Sequence, residues 1–201
     1  MDLTLNRFNK QGFYSDFTFR AGGYFYKDHF EDVDFLFSVD HFTRLKKLTS
    51  KWYTRMFINS AITARVNPVL NAPLFLNSDF GLPYFKNGDL TSDLRTTVKG
   101  EWVFYNTRKL LGFRFAPFAF SDLCLIKPYK MDMKYSNLYS AVGGGARTRN
   151  ENLVFGTIEL KVYYFPRVNE DMNGWKVELN SNIRFKFKST YIHRPDFIIV
   201  N

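Results

Sequence analysis

Apolar and polar residues alternate strictly over long stretches of this chain. From residue 175 to residue 188 one set of positions begins Trp175, Val177, Leu179, and six of its seven members are apolar, whereas the intervening set, which begins with Lys176, is entirely polar. Successive side chains of a β-strand point to opposite faces, so this alternation predicts a strand with one apolar and one polar face.

The same pattern predicts eight strands. They cover residues 14–27, 31–45, 52–66, 93–106, 110–126, 136–148, 153–166 and 174–188. Globular strands average about five or six residues, whereas a tilted strand that crosses a bilayer needs about 9–11. The strand lengths therefore predict an all-β fold, an antiparallel transmembrane β-barrel, with a large soluble barrel as the alternative.

The links and the polar face favour the membrane alternative. Short polar turns at 46–50, 106–109 and 149–152 alternate with longer links at 67–92, 127–135 and 167–173, as in outer-membrane barrels. A soluble ligand-binding barrel has an apolar interior. Here the interior would carry charged residues: Arg55, Arg65, Lys99, Glu101, Arg114, Glu159, Lys161, Glu178 and Arg184.

The composition agrees with apolar and polar residues that alternate over short distances. Hydrophobic residues make up 45% of the 201 residues and aromatic residues 19%, yet the mean hydropathy is −0.28. The sequence contains no run of eighteen apolar residues, so it predicts no transmembrane helix. Residues 1–7 contain no apolar signal core, so for an exported protein we expect the start to lie on a longer precursor.

Charge and reactive residues suggest no other class of protein. The net charge of +9 raises nucleic acid as a partner, but the basic cluster at residues 44–47 reads as a turn, so we expect no nucleic-acid binding. One cysteine, Cys124, and three histidines far apart in sequence predict no metal site and no cofactor. The sequence contains neither a nucleophile elbow nor a paired-carboxylate motif, so we do not expect an enzyme. A barrel hydrolase without short motifs stays an alternative.

Two segments resemble a known family. Residues 111–122, LGFRFAPFAFSD, resemble a late barrel strand of BamA-like outer-membrane assembly factors, the bacterial surface-antigen superfamily that also includes two-partner secretion translocators. Residues 143–156, GGGARTRNENLVFG, are similar to the next hairpin of that family, and residues 157–167 continue it. A weaker similarity over residues 13–65 extends the resemblance to most of the chain.

The resemblance implies a location and partners. The family's barrel has sixteen strands preceded by periplasmic POTRA repeats, so residues 1–201 would be the C-terminal half of such a barrel, with a tail at 189–201. The implied location is the bacterial outer membrane. The implied partners are outer-membrane lipids, unfolded outer-membrane proteins or secreted cargo, and the missing N-terminal barrel half with its periplasmic repeats.

The implied function is assistance in the insertion and assembly of outer-membrane proteins, or in protein export. It needs neither a cofactor nor covalent chemistry. A passive outer-membrane channel or a structural barrel is the alternative, and conductance without any effect on client folding would distinguish it.

The family also implies a loop that folds into the barrel. That loop carries a Val-Arg-Gly-Phe/Tyr motif, and the corresponding stretch here, residues 80–85, supplies Gly81, Tyr84 and Phe85 but lacks the motif's Arg and its Gly. Asp122 matches the inner-wall partner of the loop. The alternative for Asp122 is a lumen carboxylate paired with a neighbour such as Arg147.

The remaining candidate residues lie on the last strands. Ile183, Phe185 and Phe187 would form the barrel seam and a C-terminal assembly signal, although any lipid-facing strand could end in this way. Gly143 and Gly145 lie on the lumen wall, where glycine permits a bend or leaves room for the folded-in loop.

Overall fold

The computed structural model describes residues 2–8, 12–67, 74–78, 80–85, 91–150, 155–168 and 173–183. Within these residues, eleven strands and one short 3-10 helix, Met133–Tyr135, make up the regular structure. The strands are β1 (Asp2–Phe8), β2 (Tyr14–Tyr26), β3 (His29–Phe42), β4 (Lys46–Lys47), β5 (Trp52–Val66), β6 (Leu74–Phe75), β7 (Thr91–Asn106), β8 (Phe113–Pro128), β9 (Asn137–Asn150), β10 (Phe155–Tyr164) and β11 (Trp175–Ile183). The predicted all-β antiparallel fold class is confirmed.

All the strands belong to one antiparallel sheet. Its order is β1-β2-β3-β5-β7-β8-β9-β10-β11, with the two-residue strands β4 and β6 paired to β5 and β7. Each long strand therefore pairs with the next long strand in the chain, as in an up-and-down meander. Within the described residues β1 pairs only with β2 and β11 only with β10, so the sheet is not closed.

The eight predicted strands correspond to β2, β3, β5, β7, β8, β9, β10 and β11, whereas β1, β4 and β6 were not predicted. A further strand, β1, precedes them, and it pairs with β2 from Asp2–Arg20 to Phe8–Tyr14. The strand predicted from residue 110 begins at Phe113, because Leu111 and Gly112 both have positive φ and form a two-residue hairpin turn closed by mutual hydrogen bonds between Leu110 and Phe113.

The sheet has two chemically different faces, set by the alternation along each strand. The apolar face carries large hydrophobic side chains that are more than one-third exposed. They include Phe17, Phe19, Phe35, Phe37, Met56, Ile58, Ile62, Val98, Trp102, Phe115, Leu123, Leu125, Leu160, Val177 and Leu179. In the described part of the chain, no helix is long and apolar enough to cross a membrane.

The opposite face, here called the polar face, carries the charged residues and also the buried core. The register of pairing places Lys99 opposite Asp122, and Arg147 opposite Glu159, on this face. The sheet curls around the polar face. One cavity of about 540 Å³ shows this, since its lining includes Tyr14 of β2 and Tyr163 of β10. The buried apolar cluster lies at the same face, on β8 to β10.

Candidate functional site

The link between β5 and β7 folds back over the polar face. Its described residues, 74–78 and 80–85, begin with β6, which pairs with the first residues of β7. Leu76, Leu82 and Phe85 from this link are fully buried in the core cluster. The ring of Phe85 makes edge contacts with Tyr139 at 5.2 Å and Phe165 at 5.8 Å between centroids. The described residues of this link, 74–78 and 80–85, are here called the inner loop, and three of their apolar side chains thus belong to the core.

Polar side chains of β7 hold the first part of the inner loop. The Thr97 hydroxyl donates to the carbonyl oxygen of Phe80 at 2.5 Å. The Arg95 guanidinium donates to the carbonyl oxygen of Phe75 and to the Ser78 hydroxyl. Both β7 residues are almost fully buried, so their hydrogen bonds to the loop satisfy polar groups that water does not reach.

Gly81 permits the tight turn at the tip of the inner loop. The Leu82 amide donates to the carbonyl oxygen of Leu76 at 2.8 Å, and the Gly81 amide donates to that of Ser78 at 2.8 Å. A Cβ atom at Gly81 would overlap the Leu76 carbonyl oxygen. A side chain at this position would therefore open the turn.

Tyr84 connects the inner loop to the far end of the sheet. Its hydroxyl donates to the Glu178 carboxylate on β11, and the Tyr163 hydroxyl donates to the same carboxylate at 3.1 Å. The Lys176 ammonium lies 3.5 Å from the centroid of the Tyr84 ring. The hydrogen bond to Glu178 raises the pKa of the Tyr84 phenol. A loop that leaves β5 thus reaches β11.

Arg147 is the centre of an ion-pair network beside the inner loop. Its guanidinium binds both carboxylate oxygens of Glu101, at 2.5 and 2.8 Å, and also pairs with Glu159. The same group lies 4.4 Å from the centroid of the Phe118 ring. Lys161 adds a second cation to Glu159 at 3.0 Å. The network joins β7, β9 and β10 across the polar face.

Asp122 lies on the polar face, 7% exposed, but it is not paired with Arg147. It stands opposite Lys99 on β7 and opposite Ala141 on β9. The register places Arg147 opposite Ala116 and Glu159 instead. Arg147 pairs with Glu101 and Glu159, and not with Asp122 as the alternative for Asp122 supposed.

Gly143 and Gly145 allow aromatic rings to lie flat over β9. A Cβ atom at Gly143 would come within 2.7 Å of the Phe120 ring, and one at Gly145 within 2.7 Å of the Phe118 ring. Side chains of the neighbouring strand β8, rather than the inner loop, occupy this space. The Phe120 ring in turn contacts Tyr163, with 4.9 Å between the centroids.

Of the three predicted seam residues, the structure describes Ile183. Ile183 is the last residue of β11 and pairs with Phe155 of β10. Phe185 and Phe187 lie outside the described residues, as does the predicted tail at 189–201. Arg184, predicted on the polar face, also lies outside them.

The structure places the candidates Asp122 and Arg147 at one cavity and adds partners of the inner loop that the sequence did not indicate. Arg95 and Thr97 were not distinguished from other polar positions of their strand, and only register and curvature place them under the inner loop. Among the described residues no group of three or more His, Cys, Asp or Glu side chains could hold a metal ion.

Comparison of the chain with protein-family models, with curated proteins and with solved structures finds no match.

Proposed function

We propose that this chain is an outer-membrane β-barrel protein that assists the insertion of other outer-membrane proteins or their export, in the manner of BamA-like factors. The observation that carries the membrane part of the proposal is the apolar face. Exposed aromatic and aliphatic side chains extend over it from β2 to β11, up to 70% exposure at Leu179. Apolar surfaces of this extent mark contact with a membrane or with another protein.

The polar face supports a membrane barrel over a soluble sheet sandwich. A second sheet or a helix layer packed on the polar face would require an apolar surface there. Instead, Arg147, Glu101, Glu159 and Lys161 form their network on the polar face. In a barrel that face lines the interior, where water and folded-in segments accommodate charge.

The inner loop favours an assembly role over a passive channel. A channel needs free space along its axis, whereas Leu76, Leu82 and Phe85 fill the polar face beside β8 to β10. The strands β1 and β11 each have one partner within the described residues. A strand with an unpaired edge is able to template an added strand, which is the physical step that insertion by strand addition requires.

The test compares folding assistance with conductance. The full chain is reconstituted in phospholipid vesicles, and the folding rate of an unrelated outer-membrane barrel is followed by its heat-modifiable electrophoretic mobility. We expect faster client folding than in empty vesicles and in vesicles that hold a simple porin. Ion conductance without faster client folding would support the passive channel, and recovery of the chain in solution without detergent would refute the membrane proposal.

A further inference from the structure

A cavity of about 700 Å³ lies at the end of the sheet where the short links join the strands. Four arginines line it, Arg55, Arg114, Arg147 and Arg149, and no carboxylate is found among its described lining residues. We propose that this cavity is a binding site for a phosphate-type oxyanion. The inference does not depend on the membrane function proposed above.

Strand register places like charges together at this cavity. Arg114 on β8 stands directly opposite Arg149 on β9, and Arg147 lies on the same face two residues before Arg149. Like charges directly opposite each other in an antiparallel pair are destabilising. An anion bound between these strands would face the positive charge of Arg149.

Arg55 reaches the same cavity from β5. Its described contacts are a hydrogen bond of 3.5 Å to the carbonyl oxygen of Gly12 and a ring contact with Phe42 at 4.7 Å from the centroid. Neither contact neutralises the guanidinium. Its Nε atom is buried and has no hydrogen-bond partner among the described residues. A buried N–H without an acceptor is costly, and a bound anion would supply that acceptor.

The charge at the cavity comes chiefly from Arg55 and Arg149. Arg147 is compensated by Glu101 and Glu159, and neither of these carboxylates lines the cavity. Arg149 is exposed, and no ion pair joins it to a carboxylate in the part of the chain that the structure describes. The site thus combines a half-buried and an exposed guanidinium.

The lining also supplies neutral donors. Tyr53, Tyr105 and Thr157, which carry hydroxyl groups, also line the cavity. Guanidinium groups bind phosphate in a bidentate manner, and hydroxyl donors complete the coordination of its oxygens. The volume lies within the range of small-ligand sites, about 300–1,000 Å³. The ligand is therefore a phosphate group, carried either by a soluble compound or by a lipid headgroup.

Calorimetric titration of the full chain, refolded in non-ionic detergent at constant ionic strength, tests this proposal. The probes are pyrophosphate and short-chain phosphatidic acid. We expect saturable binding of at least one probe, weakened about tenfold or more by Arg55→Gln and by Arg149→Gln, since hydrogen bonds to charged groups are strong. Arg65→Gln is the matched control, because Arg65 pairs with Asp34 near the other end of β5.

The outcomes separate the two sources of phosphate. Binding of pyrophosphate assigns a soluble ligand, and binding of phosphatidic acid alone assigns a lipid headgroup. Absence of binding for both probes, or equal affinities of Arg149→Gln and wild type, would overturn the proposal. Heat-modifiable mobility verifies folding, and Arg55→Lys replaces Arg55→Gln if the latter does not fold, with weaker binding again expected because lysine lacks the bidentate geometry. The assay contains no client protein, so its failure leaves the proposed insertion function intact.

Discussion

Gly145 shows at the scale of single residues how closely the polar face is packed. We predict that Gly145→Ala lowers the free energy of unfolding by about 1–3 kcal/mol, the usual cost of overpacking. The added Cβ would overlap the Leu160 carbonyl oxygen and press on the Phe118 ring. Urea unfolding of the protein in lipid vesicles measures the change.

Gly100→Ala is the matched control for this experiment. A Cβ at Gly100 has its nearest neighbour, the Ser121 carbonyl oxygen, at 3.8 Å, an ordinary contact. We expect a change within about 0.5 kcal/mol for this variant. Equal stabilities of Gly145→Ala and wild type would show that Phe118 does not lie over β9.

A second prediction at the scale of residues concerns the contribution of Arg147 to stability. Arg147→Gln leaves the carboxylates of Glu101 and Glu159 without their shared cation, and these side chains are only 19% and 16% exposed. We expect a loss of about 2 kcal/mol or more, below the 3–5 kcal/mol of a fully buried pair because some water reaches the site. Equilibrium unfolding in urea provides the measurement.

Adding Glu101→Gln and Glu159→Gln to that variant should restore most of the lost stability, since neither position then carries a charge that Arg147 balanced. Lys161 loses its pair with Glu159 in this variant, so the restoration is incomplete. If the triple variant is as unstable as Arg147→Gln alone, the network does not stabilise through its charges.

The sequence indicated which residues share the polar face but not which of them touch. Alternation alone places Asp122 and Arg147 on that face. Their partners depend on register, which sets Asp122 opposite Lys99, and on curvature, which lets Arg147 reach Glu101 past β8. Neither quantity is encoded in a period of two, so the sequence could not decide whether Asp122 pairs with Arg147, the alternative considered for it.

At the scale of elements, the inner loop makes the clearest prediction. Leu82 is fully buried, and Leu82→Ala should weaken the docking of the loop by about 2–5 kcal/mol. We expect chymotrypsin to cleave at Phe80 or Phe85 at least tenfold faster in this variant, because cleavage follows the fraction of loops that are undocked.

The control is Leu111→Ala in the turn between β7 and β8, where the side chain is 90% exposed. It should leave the cleavage rate unchanged. Unchanged cleavage of Leu82→Ala as well would mean that the inner loop does not depend on its buried side chains.

Long strands were predictable because each repeats its two-residue period many times. The strand β1 was missed because its seven residues offer only Leu3 and Leu5 as an apolar set. The two-residue strands β4 and β6 have no period at all and exist through pairing with β5 and β7. The start of β8 was misplaced because the apolar residues Leu110 and Leu111 continue its pattern into the turn.

At the scale of the whole molecule, the division into two faces followed from the sequence, whereas the loop contacts did not. The inner loop has no alternation, so its position is fixed by tertiary contacts. These are packing against Tyr139 and Phe165 and hydrogen bonds from Arg95 and Thr97. The apolar face has no such partner in the described residues. Lipid is the environment that we propose for it.

Cysteine substitution along β7 tests this proposed environment. Single cysteines replace residues 98 to 102, one at a time, in a Cys124→Ala background, and each carries a fluorescent label in the vesicle-reconstituted protein. We predict that lipid-attached quenchers act at residues 98, 100 and 102, on the face of the exposed Val98 and Trp102, and spare residues 99 and 101. Equal quenching on both faces, or quenching of the apolar face by water-soluble quenchers alone, would contradict a lipid-facing sheet.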